Sequence, residues 1–549
     1  MTLLWRTSLA AVWPTQIALA GIVAWLRCDQ VNPDTIVYIR IAQYYLSGQT
    51  DLLISGYWGP MLSWLIVPWL LIFADPLLAA HAAMAVSAVV FLVGGFCVLR
   101  AARLPDSASV IGMWIIALIG VAWSINPTPD LLMAGLLCCG TSQLVSDKWV
   151  ANVRTALGAG LVLGASYLAK AVALPVSALM LIGLASTNVV VYQSSLRQAV
   201  RAAAMTIAGF LIVAGPWIGI LSYKYGHPVF STSGSINHAI AGPRDMERFH
   251  PTFRTFHKPE TRRLTSWEDP TGMPYQHWSP LENISYAVHQ AKVIYGNALL
   301  LVQYLQSFDW LGLGLVCAIF GFLFGTPWKK SLQEEMWRWL LIPIFALCVI
   351  YLPVLASAPR YFFVALPFLL AVSLGYTLSL AGSIFQNNQV KHALALTLVT
   401  LSFVMGNKDS FRKAFDPSNA NGDYLAAKIL ADKLKMTGLI GPIASVGSAW
   451  GSGLYLAYLL NTQWFGHRVE VNNPEEILSS GADLIILPRG TAMAKQLRED
   501  PRFTSADRQL FGCKGVIRET FEVYLTRSRT THDTCPESSL EHKISSPVY

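Results

Sequence analysis

The chain has 549 residues, of which 54% are hydrophobic and only 13% are charged, and its mean hydropathy is +0.45. Soluble domains carry about a quarter charged residues, so this composition excludes an ordinary soluble enzyme. The 40 Lys and Arg against 32 Asp and Glu give a formal charge of +8. In a membrane protein such an excess collects in cytoplasmic loops, so it does not indicate nucleic-acid binding, and we expect none.

Apolar runs recur from the N-terminus to about residue 405. A membrane-spanning helix needs about 20 apolar residues, and about eleven runs approach this length. We therefore predict a mostly α-helical polytopic membrane bundle. The predicted spans are Leu9–Trp25, Leu77–Leu99, Ser107–Trp123, Asp130–Leu144, Ala156–Lys170, Val172–Ser186, Ala202–Ser222, Leu311–Phe324, Trp337–Ala356, Tyr361–Leu378 and Ala393–Met405.

Basic residues predict the orientation of these spans. With the N-terminus in the cytoplasm, the inside loops carry the Lys and Arg excess, as the positive-inside rule requires. These residues are Arg6, Arg100, Arg103, Lys148, Arg154, Arg197, Arg201, Lys329, Lys330 and Lys391. The loops 27–76 and 225–309 and the tail then lie outside. The first run has no small-residue cleavage site after it, so we expect a retained span and not a cleaved signal.

The tail 407–549 changes to a mixed, charged composition that is typical of one globular domain. Short apolar strands alternate with helical patterns, so we predict a soluble extracytoplasmic α/β domain after a membrane domain at 1–406. The predicted helices are 424–435, 454–460 and 474–480, and the predicted strands are 443–446, 484–487 and 521–525. Cys513 and Cys535 flank the last strand, and a disulfide between them is left open.

The first outside loop contains a helix start. Asn32 is a favourable N-cap and Pro33 a favourable first residue, which places Asp34 in the first turn, where the helix dipole favours an ionised carboxylate. We expect this helix to lie on the membrane surface with its apolar side chains in lipid. Those side chains are Ile36, Val37, Ile41, Tyr44 and Tyr45. The alternative is that Asp34 only complements the dipole.

A second outside loop, SINPTPDLLMAG, repeats the arrangement. Thr128 is a candidate cap and Pro129 a helix start, so Asp130 also falls in a first turn. Two carboxylates on neighbouring loops are suited to act as a general base and a metal ligand or substrate orienter. The alternative is two independent caps. Asp130 is the candidate metal ligand, and dependence on a divalent metal ion is left open.

Two cations accompany these carboxylates. Lys170 interrupts a long apolar stretch, and Arg360 begins a late span. Charged residues at membrane depth are usually functional, and a guanidinium binds phosphate bidentately, so the pair resembles a phosphate clamp. The alternative is that both anchor their spans at the interface. We assign Tyr38 and Tyr361, which lie close to Asp34 and Arg360 in sequence, to substrate binding.

The long loop 225–309 is rich in histidine, aromatic and basic residues, which suits binding of a sugar or polar headgroup. Its histidines are His227, His238, His250, His257 and His277. Their spacing matches no metal motif. In the tail, Gly447–Gly453 follows a predicted strand but matches no phosphate-loop fingerprint in full, so we interpret it as a turn.

These residues, in this order, resemble the GT-C superfamily of membrane glycosyltransferases, especially the branch of the lipid A aminoarabinose transferase and the protein O-mannosyltransferases. The similar segments are NPDTIVYIRIAQYYLSG, NPTPDLLMAG, LGASYLAKAVALP, the Pro216–Trp217 pair and APRYFFVALPF. They extend over roughly residues 8–380. That branch often has Lys-Pro-Pro in the first loop, whereas this chain has Trp58, Gly59 and Pro60.

The resemblance implies an extracytoplasmic active site in a bacterial inner membrane. There, a sugar would pass from a polyprenyl-phosphate carrier to a glycan, lipid or protein acceptor. By position, Asp34 would be the catalytic base, Asp130 a metal-binding or acceptor-orienting residue, and Lys170 and Arg360 the partners of the carrier phosphate.

Two other functions are considered beside the transferase. A transporter or flippase of a lipid-linked sugar would need polar residues deep in several spans, whereas these charges lie at span ends. A membrane-anchored binding protein that works through its tail would leave the four charged residues unexplained.

Overall fold

A computed structural model describes residues 3–243, 254–324, 339–354, 358–384, 388–416, 421–506, 510 and 521–526. His250, Lys329, Lys330, Cys513 and Cys535 lie outside these ranges. The described chain is mostly helical and ends in a small sheet, so the predicted fold class is confirmed.

Helices lie over the predicted spans, and further helices lie between and after them. Their bounds are α1 Leu3–Leu26, α2 Pro33–Ser47, α3 Met61–Leu70, α4 Pro76–Ala101, α5 Asp106–Trp123, α6 Asp130–Val145, α7 Lys148–Ala151, α8 Val153–Ala169, α9 Ala173–Val190, α10 Leu196–Tyr225, α11 Ser233–Ile240, α12 Ile284–Phe308, α13 Leu313–Phe324, α14 Leu341–Tyr351, α15 Ala365–Ile384, α16 Asn388–Gly406 and α17 Lys408–Phe415.

Five of these helices are long and apolar enough to cross a membrane, within the part of the chain that the structure describes. They are α1, α4, α5, α9 and α10, and shorter apolar helices occupy most of the other predicted spans. The protein is therefore an integral membrane protein. Its orientation, and the division of the chain at residue 406, stay predictions.

Glycines allow the helices that carry the site to approach closely. A Cβ at Gly94 of α4 would lie 2.3 Å from the carbonyl oxygen of Gly135 on α6, and a Cβ at Gly160 of α8 would lie 2.0 Å from that of Thr206 on α10. Because helices in lipid have no hydrophobic driving force toward each other, close backbone contact is a main source of their packing energy. These contacts hold α6 against α4 and α8 against α10, and α6 and α8 also contact each other directly.

Two structural features of the loops differ from the expectations. The loop 225–309 contains the 25-residue helix α12, which was not predicted. Its last residue, Phe308, packs 5.0 Å from the ring of Trp123 at the end of α5, and Asn297 at its middle donates to the Leu352 carbonyl at 2.9 Å. This helix is therefore joined to the end of α5 and to the residue that follows α14.

The second difference concerns α2. It was expected on the membrane surface, but most of its apolar residues are buried by protein. It contacts α3, α4, the C-terminal region and the 3-10 turn Ser266–Glu268. The apolar face that suggested lipid contact therefore packs on other parts of the same chain.

The described residues of the C-terminal region form a five-stranded sheet with helices around it. The strands are β1 Ile443–Val446, β2 Trp464–Arg468, β3 Leu484–Pro488, β4 Phe503–Ser505 and β5 Phe521–Thr526, in the order β2-β1-β3-β5-β4. The helices are α18 Gly422–Thr437, α19 Trp450–Leu459, α20 Pro474–Leu478 and α21 Ala492–Glu499.

Strands β1, β2 and β3 are parallel, and β5 is antiparallel to β3 and β4. Three strands and three helices coincide with the predicted elements within a few residues, whereas β2, β4 and α21 were not predicted. The segment interpreted as a turn bends at Gly447, where φ is +68°, and continues as α19.

Candidate active site

Asp34 occupies the first turn of α2, as the sequence predicts. The Asn32 side chain accepts from Thr35 N at 3.0 Å and forms a capping box with it, and Pro33 is the first helical residue. The buried Thr35 hydroxyl donates to the Pro127 carbonyl at 3.1 Å. This bond joins the start of α2 to the loop that leads into α6.

Asp130 is the first residue of α6 and is only 1% exposed. The expected cap at Thr128 is absent: the helix follows Pro129 directly, with no side-chain cap. The carboxylate of Asp130 is close to two cations. Lys170 Nζ donates to its Oδ1 at 2.5 Å, and Arg360 Nε lies 3.6 Å from its Oδ2.

Lys170 is the C-cap residue that directly follows α8. Its ammonium lies 3.9 Å from the centre of the Tyr361 ring, a cation–π contact that adds to the bond with Asp130. The loop before α3 packs tightly against this helix end, because a Cβ at Gly59 would lie 2.4 Å from the Ala169 carbonyl oxygen. A residue without a side chain is therefore required beside Lys170.

Arg360 and Tyr361 lie in a 3-10 turn, Pro359–Phe362, that precedes α15. Arg360 Nη2 donates to Asp34 Oδ2 at 2.6 Å. Tyr361 stacks on Tyr351 at the end of α14, with ring centres 5.5 Å apart. The four charged residues singled out in the sequence thus form one chain of contacts, from Asp34 through Arg360 and Asp130 to Lys170.

These residues line a cavity of about 390 Å³. Tyr38 also lines it, so all six predicted site residues meet in one place. The cavity has an aromatic wall and a polar wall. The aromatic wall includes Tyr57, Trp58, Trp267 and Tyr351, and the polar wall includes Ser231, Ser233 and Asn237 from α11 and the residues before it.

The charges of the described side chains that line the cavity balance. Two carboxylates face two cations, and each carboxylate is within 4 Å of at least one cation. Arg360 Nε has no hydrogen-bond partner among the described residues. The cavity therefore offers an acceptor of protons in Asp34 and donors for an anion in Lys170 and Arg360.

The structure gives no support to a histidine site. His238 stacks on Trp278 with ring centres 4.6 Å apart, His257 bonds the Ser266 hydroxyl at 2.9 Å, and His227 and His277 are exposed. None of these four lines the cavity. Within the described ranges, no three His, Cys, Asp or Glu side chains gather as a metal site.

Trp267 is the contact that sequence reasoning missed. Its indole Nε1 donates to Asp34 Oδ1 at 3.3 Å, and its ring lies edge-on to that of Trp58, with centres 5.0 Å apart. The predictions for this loop relied on its histidines. Nothing in the neighbouring sequence except the size of its side chain marked Trp267 as a buried residue of the site.

The fold is similar to that of ArnT, a lipid A aminoarabinose transferase of the GT-C type. The crystal structure of ArnT from Cupriavidus metallidurans bound to undecaprenyl phosphate matches with a TM-score of 0.53 at 14% identity, over 93% of this chain and 97% of that one. Its apo structure gives 0.52 and 15%, over 94% and 98%. No protein-family model and no curated protein matches the chain. The predicted resemblance is thus confirmed for the fold.

Proposed function

We propose that this protein is a membrane glycosyltransferase that transfers a sugar from a polyprenyl-phosphate carrier to an acceptor hydroxyl, with Asp34 as the general base. The observation that carries the proposal is the cavity in which Asp34 and Asp130 meet Lys170 and Arg360. Buried charges are costly, and clusters of them in a cavity are typical of functional sites. The fold shared with ArnT, whose structure holds undecaprenyl phosphate, supports the same chemistry.

The reaction follows from the groups present. The acceptor oxygen attacks the anomeric carbon while Asp34 takes its proton, and the bond from that carbon to the phosphate oxygen breaks. The leaving phosphate keeps the electron pair, and Lys170 and Arg360 neutralise its charge. Attack opposite the leaving group inverts the anomeric centre.

The ion pairs describe a state before substrate binds. Arg360 holds Asp34 and Lys170 holds Asp130, so both cations are engaged by carboxylates. A phosphate that enters the cavity competes for the same donors, because guanidinium and ammonium groups bind phosphate strongly. As Arg360 turns to the phosphate, Asp34 is released to accept a proton.

The remaining assignments follow the same proposal. Tyr38 and Tyr361 contact the substrate from the cavity wall, and Asp130 orients the acceptor or binds a divalent metal. The sugar is a hexose or a pentose, and the acceptor is a glycolipid, a polysaccharide or a protein. The cavity faces the outer side of a bacterial inner membrane, with the N-terminus in the cytoplasm, as the basic loops support.

Sugar transfer by the purified protein in nanodiscs tests the proposal. A panel of radiolabelled polyprenyl-phosphate sugars is supplied with candidate acceptors, and EDTA forms a second arm that reports metal dependence. Loss of a general base lowers the rate about 10²–10⁴-fold, so Asp34→Asn is expected to lose transfer to this extent.

Asp106→Asn is the matched control, because Asp106 also lies in a first turn, at the start of α5, but is exposed and does not line the cavity. It is expected to keep wild-type activity. The main alternative is a transporter of a lipid-linked sugar. Tight binding without consumption of any carrier, unchanged in Asp34→Asn, would favour that alternative.

A further inference from the structure

A segment of the long loop extends the C-terminal sheet. Strand β2 lies at one edge of that sheet, and its outer side pairs with the loop. His257 N donates to the Phe465 carbonyl and Trp464 N to the Leu264 carbonyl, both at 2.7 Å. Gln463, just before β2, donates from its side chain to the carbonyls of Glu260 and Arg263, at 3.2 and 3.0 Å. The loop is therefore held along the first part of the strand.

The same segment leads directly into the turn that touches Asp34. Leu264 is followed by Thr265, whose hydroxyl caps the 3-10 turn by accepting from Trp267 N at 3.2 Å. The Trp267 carbonyl accepts from Trp58 Nε1 at 2.8 Å. The indole of Trp267 itself donates to Asp34. Only Thr265 and Ser266 thus separate Leu264, which pairs with β2, from Trp267, which contacts the Asp34 carboxylate.

The next residue, Glu268, ties the turn to α2. It is fully buried and accepts from the Tyr44 hydroxyl at 2.6 Å and from Leu264 N at 2.9 Å. Burial raises the pKa of Glu268 above its usual range, although Arg40 and Tyr44 act in the opposite direction. Because its oxygens are satisfied by these fixed partners, the turn is held in one position against α2.

The C-terminal region also contacts the chain just before Asp34. The hydroxyl of Tyr455 on α19 and the side-chain amide of Asn421 both donate to the Val31 carbonyl, at 3.1 and 2.6 Å. Val31 precedes the N-cap of α2. The C-terminal sheet with its helices, which we call the sheet domain, therefore holds the segment before Asp34 and the segment before Trp267. The side chains of these two residues meet in a hydrogen bond.

We propose that Trp267 is a positioning residue for Asp34 and that the C-terminal sheet domain, through β2 and Gln463, holds Trp267 in place. This inference rests on the proposed function. Arg360 and Trp267 hold one oxygen of Asp34 each. When Arg360 turns to the carrier phosphate, the indole is the donor that keeps the carboxylate in the orientation needed to accept a proton. The domain thereby acts on the rate of transfer.

The first test replaces Trp267 by Phe, which keeps an aromatic ring against Trp58 but removes the indole donor. Hydrogen bonds to charged groups are among the stronger ones, so kcat is expected to fall about tenfold. KM for the carrier is expected to change less than about twofold, since Trp267 does not hold the phosphate. Trp25→Phe, on an exposed face of α1, is the matched control and is expected to leave both constants unchanged.

The second test removes the link to the domain. Gln463→Ala loses two hydrogen bonds to the loop, and kcat is expected to fall about fivefold. Gln496→Ala, on the exposed side of α21, is the matched control. Because Gln463 acts through Trp267, the double variant Trp267→Phe with Gln463→Ala is expected to lose much less than the product of the two single effects.

The outcomes separate this inference from the function on which it rests. Absence of transfer by the wild-type protein defeats the proposed function itself. Transfer that depends on Asp34 but survives Trp267→Phe at full kcat overturns the positioning role. Multiplicative effects in the double variant overturn the role of the domain. A rise in acceptor KM alone in Gln463→Ala also overturns it and assigns the domain to acceptor binding.

Discussion

At the scale of single residues, the charges of the cavity are paired rather than free. Lys170 and Asp130 form a bond in which the carboxylate is almost fully buried, while about a quarter of the lysine side chain is exposed. Sequence reasoning identified Lys170 as a charge in an apolar stretch and Asp130 from its place in the first turn of a predicted helix. It did not predict the pairing, since residues 40 positions apart meet only through the packing of α6 against α8.

The pairing leads to a prediction about stability. Lys170→Met leaves Asp130 as a buried, poorly compensated carboxylate, and removal of one partner from a buried pair costs about 3 kcal/mol. The melting temperature of the purified protein is therefore expected to fall. The double variant Lys170→Met with Asp130→Asn removes both charges and is expected to recover most of the loss.

Activity should not follow stability in this series. The double variant is expected to stay at least about 100-fold below wild type in sugar transfer, because both charges are gone from the cavity. Thermal unfolding and transfer rates measured on the same preparations check this prediction. Recovery of transfer together with stability would show that the pair has a structural role only.

At the scale of elements, local signals were the ones that sequence reasoning could use. The Asn32–Pro33 pair marks the start of α2, and long apolar runs mark the spans. Strand β2 was missed because Gly466 interrupts it and its residues do not alternate. Its pairing with residues 255–265 joins segments about 200 positions apart, and no local pattern encodes such a contact.

The close contact between the α3 loop and the end of α8 gives a prediction at this scale. Gly59→Ala places a methyl group against backbone atoms of Leu168 and Ala169, so one segment must shift. Such overpacking costs about 1–3 kcal/mol and is expected to displace Lys170, with a loss of transfer of about tenfold or more.

Gly21→Ala is the control for this substitution. A Cβ at Gly21 on α1 meets nothing within 4 Å, so this variant is expected to keep both stability and activity. Thermal unfolding and transfer assays of the two variants make the comparison. Wild-type activity in Gly59→Ala would mean that the packing at the end of α8 does not set the position of Lys170.

At the scale of the whole molecule, the predicted fold class holds because composition and run length constrain it strongly. The contacts between the C-terminal region and the segments next to the cavity were not predictable from the sequence. The sequence predicts the tail as a soluble α/β domain and does not predict that it contacts the residues around the site. In the structure it contacts Val31, shortly before Asp34, and the loop segment that leads to Trp267.

A buried histidine in β2 makes the stability of this assembly depend on pH. Burial lowers the pKa of His467 to about 4, whereas an unfolded histidine titrates near 6.5. Between these values the unfolded state binds more protons, so the free energy of unfolding falls as the pH is lowered. From pH 7 to pH 4.5 the loss from this residue is about 2 kcal/mol.

Chemical denaturation at several pH values checks this expectation. His467→Leu is expected to flatten the dependence between pH 6.5 and pH 4, whereas His277→Gln, at an exposed position, is expected to leave it unchanged. An unaltered pH dependence in His467→Leu would assign the acid sensitivity to other groups.

The central claim is that the cavity breaks the bond between a sugar and its carrier phosphate with Asp34 as the base. A single-turnover experiment tests it most directly, with enzyme in excess over a labelled polyprenyl-phosphate sugar and acceptor present. We predict free carrier phosphate and a glycoside of inverted configuration, with the rate lowered at least about 100-fold in Asp34→Asn. Carrier that stays intact while bound, or turnover at the wild-type rate in Asp34→Asn, would contradict the account.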